Sequence, residues 1–323
     1  MRHLARRAFA LAFPLALGLL PGAALAEYPE RPIRMVVPYA AGGGADSAAR
    51  IVGQQLSNAL GQQVIIDNRA GAGGIVGADN VAKAQPDGYT ILFDASAFAT
   101  NAALRKLPYD PRRDLIPLSL VVIAPNILVV PPKAAYASVA ALIEEAKKNP
   151  GKMTYASAGA GSASHLAGEA LNDAAKLDIT HVPYRGGAPA LNDLMADRVS
   201  LYFGNTASTL GHVQGGTVKA IAIGSPKRSK LLPDVPTLAE SGLPGFESQE
   251  WNGVFVPKGT PPAIAERLAG EIAKAVAMPE IRAKLEGLGL EPVGSKPEEF
   301  AAFVEAETAR AAAIAKARNV KVD

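Results

Sequence analysis

Cysteine is absent from this chain of 323 residues. That excludes a disulfide scaffold, thiolate-bound zinc, iron–sulfur clusters and a lipid-modified N-terminal cysteine. Histidine is scarce: beyond the N-terminal segment only His165, His181 and His212 remain, and neither HExxH nor GxSxG occurs. Neither a metal-activated water nor a base-activated serine is displayed, so no enzyme, catalytic residue, metal or cofactor is expected. Charge of one sign is missing as well. Three of the 33 basic residues (Arg2, Arg6, Arg7) lie in the first 26 positions and all 30 acids lie after them, so the remainder is balanced. Such balance argues against nucleic acid or an anionic membrane as partner. After the N-terminus no apolar run approaches the roughly 20 residues that span a bilayer.

What the chain does contain is apolar bulk and glycine. Apolar side chains make up 49% of it, which excludes a disordered chain. Its length exceeds what one core usually fills, so two domains are expected. At the N-terminus, Arg2, Arg6 and Arg7 precede an apolar run over 8–20, then Pro21-Gly22 and Ala24-Leu25-Ala26. This charged, apolar, small-residue order is that of a secretory signal. Residues 1–26 are expected to be cleaved near Ala26, leaving a periplasmic protein. The apolar run is too short for a membrane anchor, and Arg6-Arg7 leaves Sec and twin-arginine export both open.

Strand and helix patterns then alternate. The periodicity predicts strands over 33–38, 63–66 and 89–93, with helices over 47–60 and 75–83 between them. A second series follows: a strand over 127–130, a helix capped by Ser138, strands over 153–157, 179–184, 199–203 and 218–224, and helices over 164–175 and 188–196. The C-terminal quarter is mostly helical. Ser295-Lys296-Pro297-Glu298 reads as a capping box opening the last helix. Strands joined by single helices imply an α/β fold with mostly parallel sheets covered on both faces. Crossings between two lobes are expected near 124–130 and near 223–226. Lobe 1 would then hold residues 27–124 plus 226–323, and lobe 2 residues 125–225.

Three strand-to-helix junctions share one design: Tyr39-Ala40-Ala41-Gly42-Gly43-Gly44, Ala158-Gly159-Ala160-Gly161-Ser162 and Tyr184-Arg185-Gly186-Gly187. Glycine lets a ligand approach the backbone, and a helix start offers unpaired N–H groups with partial positive charge. Such loops sit at the carboxyl ends of parallel strands, where α/β sheets bind ligands. Backbone donors from Gly42, Gly43 and Gly161, helped by the Ser162 hydroxyl, are expected to hold an anion. A dinucleotide fingerprint is the competing pattern, with Asp67 as its acid, but Ser47 and Val76 occupy the third-glycine positions and neither motif closes. Ser162 or Ser164 suits an N-cap, and His165 either donates to an anion or serves structure. Asp46 suits a ligand amine or an N-cap. Arg69 and Arg185 are carboxylate partners or plain surface residues.

Longer motifs carry a family resemblance. The run Asn149-Pro150-Gly151-Lys152-Met153-Thr154-Tyr155-Ala156-Ser157-Ala158-Gly159-Ala160-Gly161-Ser162-Ala163-Ser164-His165 resembles the substrate-binding proteins of tripartite tricarboxylate transporters, the Bug family. So do His181-Val182-Pro183-Tyr184-Arg185-Gly186-Gly187, Pro86-Asp87-Gly88-Tyr89-Thr90 and Leu232-Pro233-Asp234-Val235-Pro236-Thr237. The resemblance runs from about Tyr28 to the C-terminus. It implies a type II periplasmic binding fold, with a small organic carboxylate (a di- or tricarboxylate, acidic amino acid or aromatic acid) held in the interlobe cleft. A monomer delivering that ligand to a membrane permease is implied too. Carried over residue by residue, the ligand-binding set is Tyr39, Ala41, Gly42, Gly43, Asp46, Ser96, Ser157, Gly161, Ser162, His165, Tyr184, Gly187 and Asn205. The chain departs from the family pattern at Ala41, where proline is usual, at Asp67 and Ala70, over 96–101, and at Gly204-Asn205. A binding protein feeding a sensory receptor would look the same at this level, and a secreted α/β enzyme would need a base and nucleophile the sequence does not display.

Overall fold

The computed structural model describes residues 28–184, 186–320 and 322. The expected export segment and Arg185 lie outside them. The chain begins with β1 (Ile33–Val37), α1 (Gly44–Leu60), β2 (Val64–Asn68), α2 (Ile75–Ala82), β3 (Thr90–Ala95) and α3 (Ala97–Leu104). The long β4 (Leu115–Val130) then leads into α4 (Val139–Lys148), β5 (Thr154–Ser157), α5 (Ala163–Ala175), β6 (Thr180–Pro183) and α6 (Gly187–Met195). Next come β7 (Leu201–Asn205), α7 (Thr206–Gln214), β8 (Lys219–Ile223) and β9 (Gln249–Pro257). The chain closes with α8 (Pro262–Ala277), α9 (Pro279–Gly287), β10 (Glu291–Pro292) and α10 (Pro297–Arg318).

Local chemistry explains the regular pieces. In α1 the buried Ala48, Val52, Leu56 and Leu60 recur at helical spacing, and Gly61 ends the helix at φ +69°. Ser138 caps α4 by accepting from the Ala141 N–H at 3.2 Å. The expected capping box at the last helix moves by one residue. Glu299 reaches back to the Lys296 N–H at 3.0 Å, while Ser295 accepts from Leu120 N–H and ties the helix start to β4.

The outer three strands of each lobe are parallel, β2-β1-β3 in one and β7-β5-β6 in the other, as single-helix crossovers require. Between them run β4 and β9, antiparallel to β3 and β7 and to each other. β4 belongs to both lobes: up to Pro125 it pairs with β9, and from Asn126 it pairs with β7 and β8. Its register against β9 shifts between Pro117 and Ser119, since proline has no N–H for the ladder.

Both faces of both sheets are buried. In the first lobe Ile33, Met35 and Val37 meet α1 and α8, while Val36, Leu92 and Phe255 meet α2, α3 and Phe300 of α10. In the second, Leu128 and Phe203 face α4 and α5, and Ile127 and Tyr202 face α6 and α7. The return to the first lobe comes later than the expected 223–226: Leu238, Leu243 and Phe246 pack into the second lobe's core, and the chain crosses back at Ser248. Here the crossings bond to one another, Asn126 N–H to Ser248 O (3.0 Å), Gly224 N–H to Asn126 O (2.8 Å) and Ser248 N–H to Gly224 O (2.9 Å). Gly224 is obligatory at this point, because a Cβ would lie 2.1 Å from the Ser248 carbonyl oxygen.

Candidate ligand-binding cleft

A cleft of about 590 Å³ opens between the lobes, within the size range of small-molecule sites. Five helices, α1, α3, α5, α6 and α7, start at it. The loop after β1 brings Tyr39, Ala41 and Gly43, then Gly44 and Ala45 of α1; β3 brings Ser96 at the start of α3. Across the gap lie Gly161 and Ser162 at the start of α5, Gly187 at the start of α6, and Asn205 at the end of β7. The N-termini of α1, α3 and α6 have no side-chain cap, so their first-turn N–H groups are left for a ligand. α5 differs: the Ser162 hydroxyl accepts from His165 N–H at 3.3 Å and shares a 3.0 Å contact with Ser164.

Eight of the expected site residues therefore line the cleft: Tyr39, Ala41, Gly43, Ser96, Gly161, Ser162, Gly187 and Asn205. Five do not. Gly42 sits at φ +83° and gives its N–H to Asp46 Oδ2 at 2.9 Å. Asp46, 2% exposed, also accepts from Arg50 and Asn68, so it anchors the loop and does not line the cleft. Burial opposes its charge, but the bonds from Arg50, Gly42 and Asn68 hold its carboxyl below the usual range. Ser157 is buried, with its hydroxyl 2.6 Å from His181 Nε2. His165 is buried and accepts the Gly161 N–H on Nδ1 at 3.0 Å. Tyr184 turns aside to donate to Asp193 at 2.7 Å.

The expected backbone donors change with these bonds. Gly42 and Gly161 have already given their N–H groups to side chains four residues on, in both cases the side chain that shapes the loop. Among the described residues Gly43 keeps its N–H unspent, and the other unspent donors are at the helix starts, in Gly44 and Ala45 of α1, Gly187 of α6 and the first turn of α3. A spaced Gly-x-x-x-Asp and Gly-x-x-x-His was the available signal, since residues i and i+4 are neighbours once the helix starts.

Four polar or charged lining residues fall outside the expected set: Asn101, Arg105, Glu250 and Asn252. The first two lie at the end of α3, and Asn101 donates to Gly73 O at 2.8 Å, fixing a second glycine-rich turn at the cleft. Glu250 and Asn252 are polar residues two apart on β9, a strand the periodicity did not single out. Asn205 Nδ2 donates to Glu250 Oε2. Burial pushes the Glu250 carboxyl above its usual range, and the Asn205 bond only partly offsets this. Behind Tyr39, whose hydroxyl donates to it at 2.7 Å, Asp94 is 1% exposed and pushed by burial up to about 7. The Tyr39 hydroxyl is itself raised by burial and by Asp94.

This architecture has relatives. The model of the tripartite tricarboxylate transporter family receptor matches residues 48–320. The chain belongs to that family. It is similar to the UPF0065 protein in the tcbD-tcbE intergenic region of Pseudomonas sp. (strain P51), 43% identical over 88% of this chain and 86% of that protein. Among solved receptors it is similar to the periplasmic binding protein BugD, 39% identical with a TM-score of 0.81 over 91% of this chain and 99% of that one. It is also similar to an R. palustris protein solved with adipate, 35% identical with a TM-score of 0.84, again over 91% and 99%. The transporter receptor fold is that of two-lobed periplasmic binding proteins, and the present chain has it. Solute binding, without chemistry on the solute, is the family's activity.

Proposed function

We propose that this protein is exported to the periplasm, captures a small organic carboxylate in the interlobe cleft and delivers it to a membrane permease of the tripartite tricarboxylate type. One observation carries the reading: three uncapped helix N-termini, those of α1, α3 and α6, converge on one 590 Å³ cleft. Each donates neutral hydrogen bonds of roughly 0.5–1.5 kcal/mol net, and each adds about 0.3–1 kcal/mol from its dipole. Five or six such contacts support a Kd on the order of 1 μM, near −8 kcal/mol. Adipate in the similar R. palustris protein supports a carboxylate as the ligand class. The three bonded crossings at Asn126, Gly224 and Ser248 support hinge closure over the ligand.

Thermal melts and calorimetry with mono-, di-, tri- and aromatic carboxylates, each beside its neutral amide, test this. A millimolar ligand with a micromolar Kd stabilises by about 4 kcal/mol, which raises Tm by roughly 5 °C or more at this length. The amide loses because it points N–H₂ at backbone donors, a cost of about 1–3 kcal/mol. No shift with any carboxylate, beside a shift with a sugar or nucleotide, refutes the carboxylate class. Export is tested by the mass of protein recovered from the periplasm: cleavage after Ala26 is expected, and an intact Met1 refutes it.

A further inference from the structure

The cleft has two unlike walls. The helix starts of α1, α3 and α6 present donors; β9 presents acceptors. On this strand Trp251 and Phe255 enter the core on the α10 side, whereas Glu250 and Asn252 line the cleft. Two residues apart on one face, they stand about 7 Å from each other. Asn205 caps α7 by accepting from Ser208 N–H at 3.2 Å on Oδ1. With that oxygen engaged, its Nδ2 must face Glu250, and Glu250 Oε2 must accept. Among the described residues Glu250 Oε1 has no hydrogen-bond partner, Oε2 alone being engaged by Asn205. Asn252 likewise spends its Nδ2 on Asp94 O at 3.4 Å, which turns its Oδ1 acceptor out. An Asn205-held acid and an amide oxygen thus share one wall of the cleft, opposite the uncapped helix starts. Gly44, the first residue of α1, brings the two ends together: a Cβ there would lie 3.7 Å from Asn205 Nδ2.

A simple dicarboxylate fits such a pocket poorly. One carboxylate meets the helix starts, but a second near β9 would face an acid and a carbonyl oxygen, unpaired acceptors against acceptors. A ligand that carries a cationic nitrogen beside its carboxylate meets both walls.

We infer that Glu250, with Asn252 beside it, is a specificity-determining residue that selects a carboxylate also carrying a protonated nitrogen. Its carboxylate lies at the helix starts and its N–H donors meet Glu250 Oε1 and Asn252 Oδ1. The inference rests on the carboxylate reading above and narrows it.

Calorimetry on the mature protein with matched ligands tests it: aspartate against succinate and malate, glutamate against glutarate, 6-aminohexanoate against hexanoate. In at least one set the nitrogen-bearing member is expected to bind about tenfold tighter or more than its counterparts, a difference a single charged contact readily supplies. Glu250→Gln keeps the acceptor for Asn205 but loses the charge. It should abolish that preference, with the nitrogen-free dicarboxylates bound as well as before or more tightly, because the acid facing their second carboxylate is gone. A wild-type preference for the nitrogen-free member in every set overturns the inference and leaves the carboxylate reading standing. So does a Glu250→Gln protein that keeps the preference, or one that loses succinate instead, which would make Glu250 a proton donor. Absence of binding by every carboxylate overturns both readings. If Glu250→Gln does not fold, the wild-type ranking decides alone.

Discussion

The imidazoles of His165 and His181 lie face to face, ring centroids 3.8 Å apart and planes within 9° of parallel. Each holds one end of the same loop: His165 Nδ1 accepts the Gly161 N–H, and His181 Nε2 meets the Ser157 hydroxyl. Tyr155 stacks on the pair, and Glu169, itself bound by Tyr155 and Arg318, is the acid facing it. Burial lowers both histidines, and the neighbouring ring helps push His181 down to about 4. Glu169 opposes this only in part.

Both rings are accordingly neutral in the folded protein at pH 7. The unfolded chain takes up protons first as pH falls past about 6.5, so the pair's contribution is present above that pH and lost on the way down to about 4. A loss on the order of 1–2 kcal/mol is expected after allowing for the half-exposed His181 ring. NMR titration of the ring resonances should place His181 near 4 and His165 below its usual value. Two ordinary midpoints near 6.5 would show that the stack does not shield them.

Asp94 has the opposite sign. Its folded pKa is raised to about 7, so its contribution is intact below the unfolded value near 3.8 and is lost as pH rises through 7. Asp94→Asn keeps an oxygen for the Tyr39 hydroxyl and the Ala95 N–H and cannot ionise. Urea titrations should find the variant more stable by about 1–2 kcal/mol at pH 8, with little difference at pH 4. Equal pH profiles for the two proteins would refute the assignment.

Asp46 organises the first loop from beneath it, accepting from Gly42, Arg50 and Asn68. Asp46→Ala strands the Gly42 N–H and one hydrogen of the Asn68 amide, which keeps its bond to Tyr39 O, a cost of about 1–3 kcal/mol in chemical denaturation. Ligand affinity should fall with it, because the α1 start is no longer aimed at the cleft. Unchanged affinity would separate the loop from the site.

Gly253 lies against the hub of the first lobe. A Cβ there would sit 2.1 Å from Phe300 Cζ, and Phe300 packs edge-on against Trp251, ring centroids 5.6 Å apart. Gly253→Ala should cost about 1–3 kcal/mol or more from overpacking. Fluorescence of Trp251, the chain's one tryptophan, reports the unfolding directly. Adding Phe300→Leu should recover part of the loss, and no recovery would place the strain elsewhere.

Much of this protein is legible from residues near in sequence. Apolar spacing marks α1 and the outer strands, glycine marks the turns into α1, α5 and α6, and Tyr39, Gly43, Gly161, Ser162 and Gly187 reach the cleft as those loops suggest. These features are local: they follow from side-chain periodicity and from what φ a residue tolerates. Even the removal of Gly42 and Gly161 from the donor set is local, since their acceptors lie four residues on.

The acceptor wall is different in kind. Glu250 meets Asn205 across 45 residues, and it does so because β9 pairs with β4 in one register, Glu250 against Ala124. The apolar pattern of β9 says that it is buried, not which strands flank it or which of its polar residues face a gap. The segment over 226–246 is likewise expected in the first lobe, and only the fold puts Leu238, Leu243 and Phe246 in the second lobe's core. Strand partner and register are decided by contacts distant in the chain, whose closure entropy is offset only once both lobes have formed. The amino-acid sequence alone therefore determined that helix starts would meet at a cleft, and the tertiary structure decided what stands opposite them.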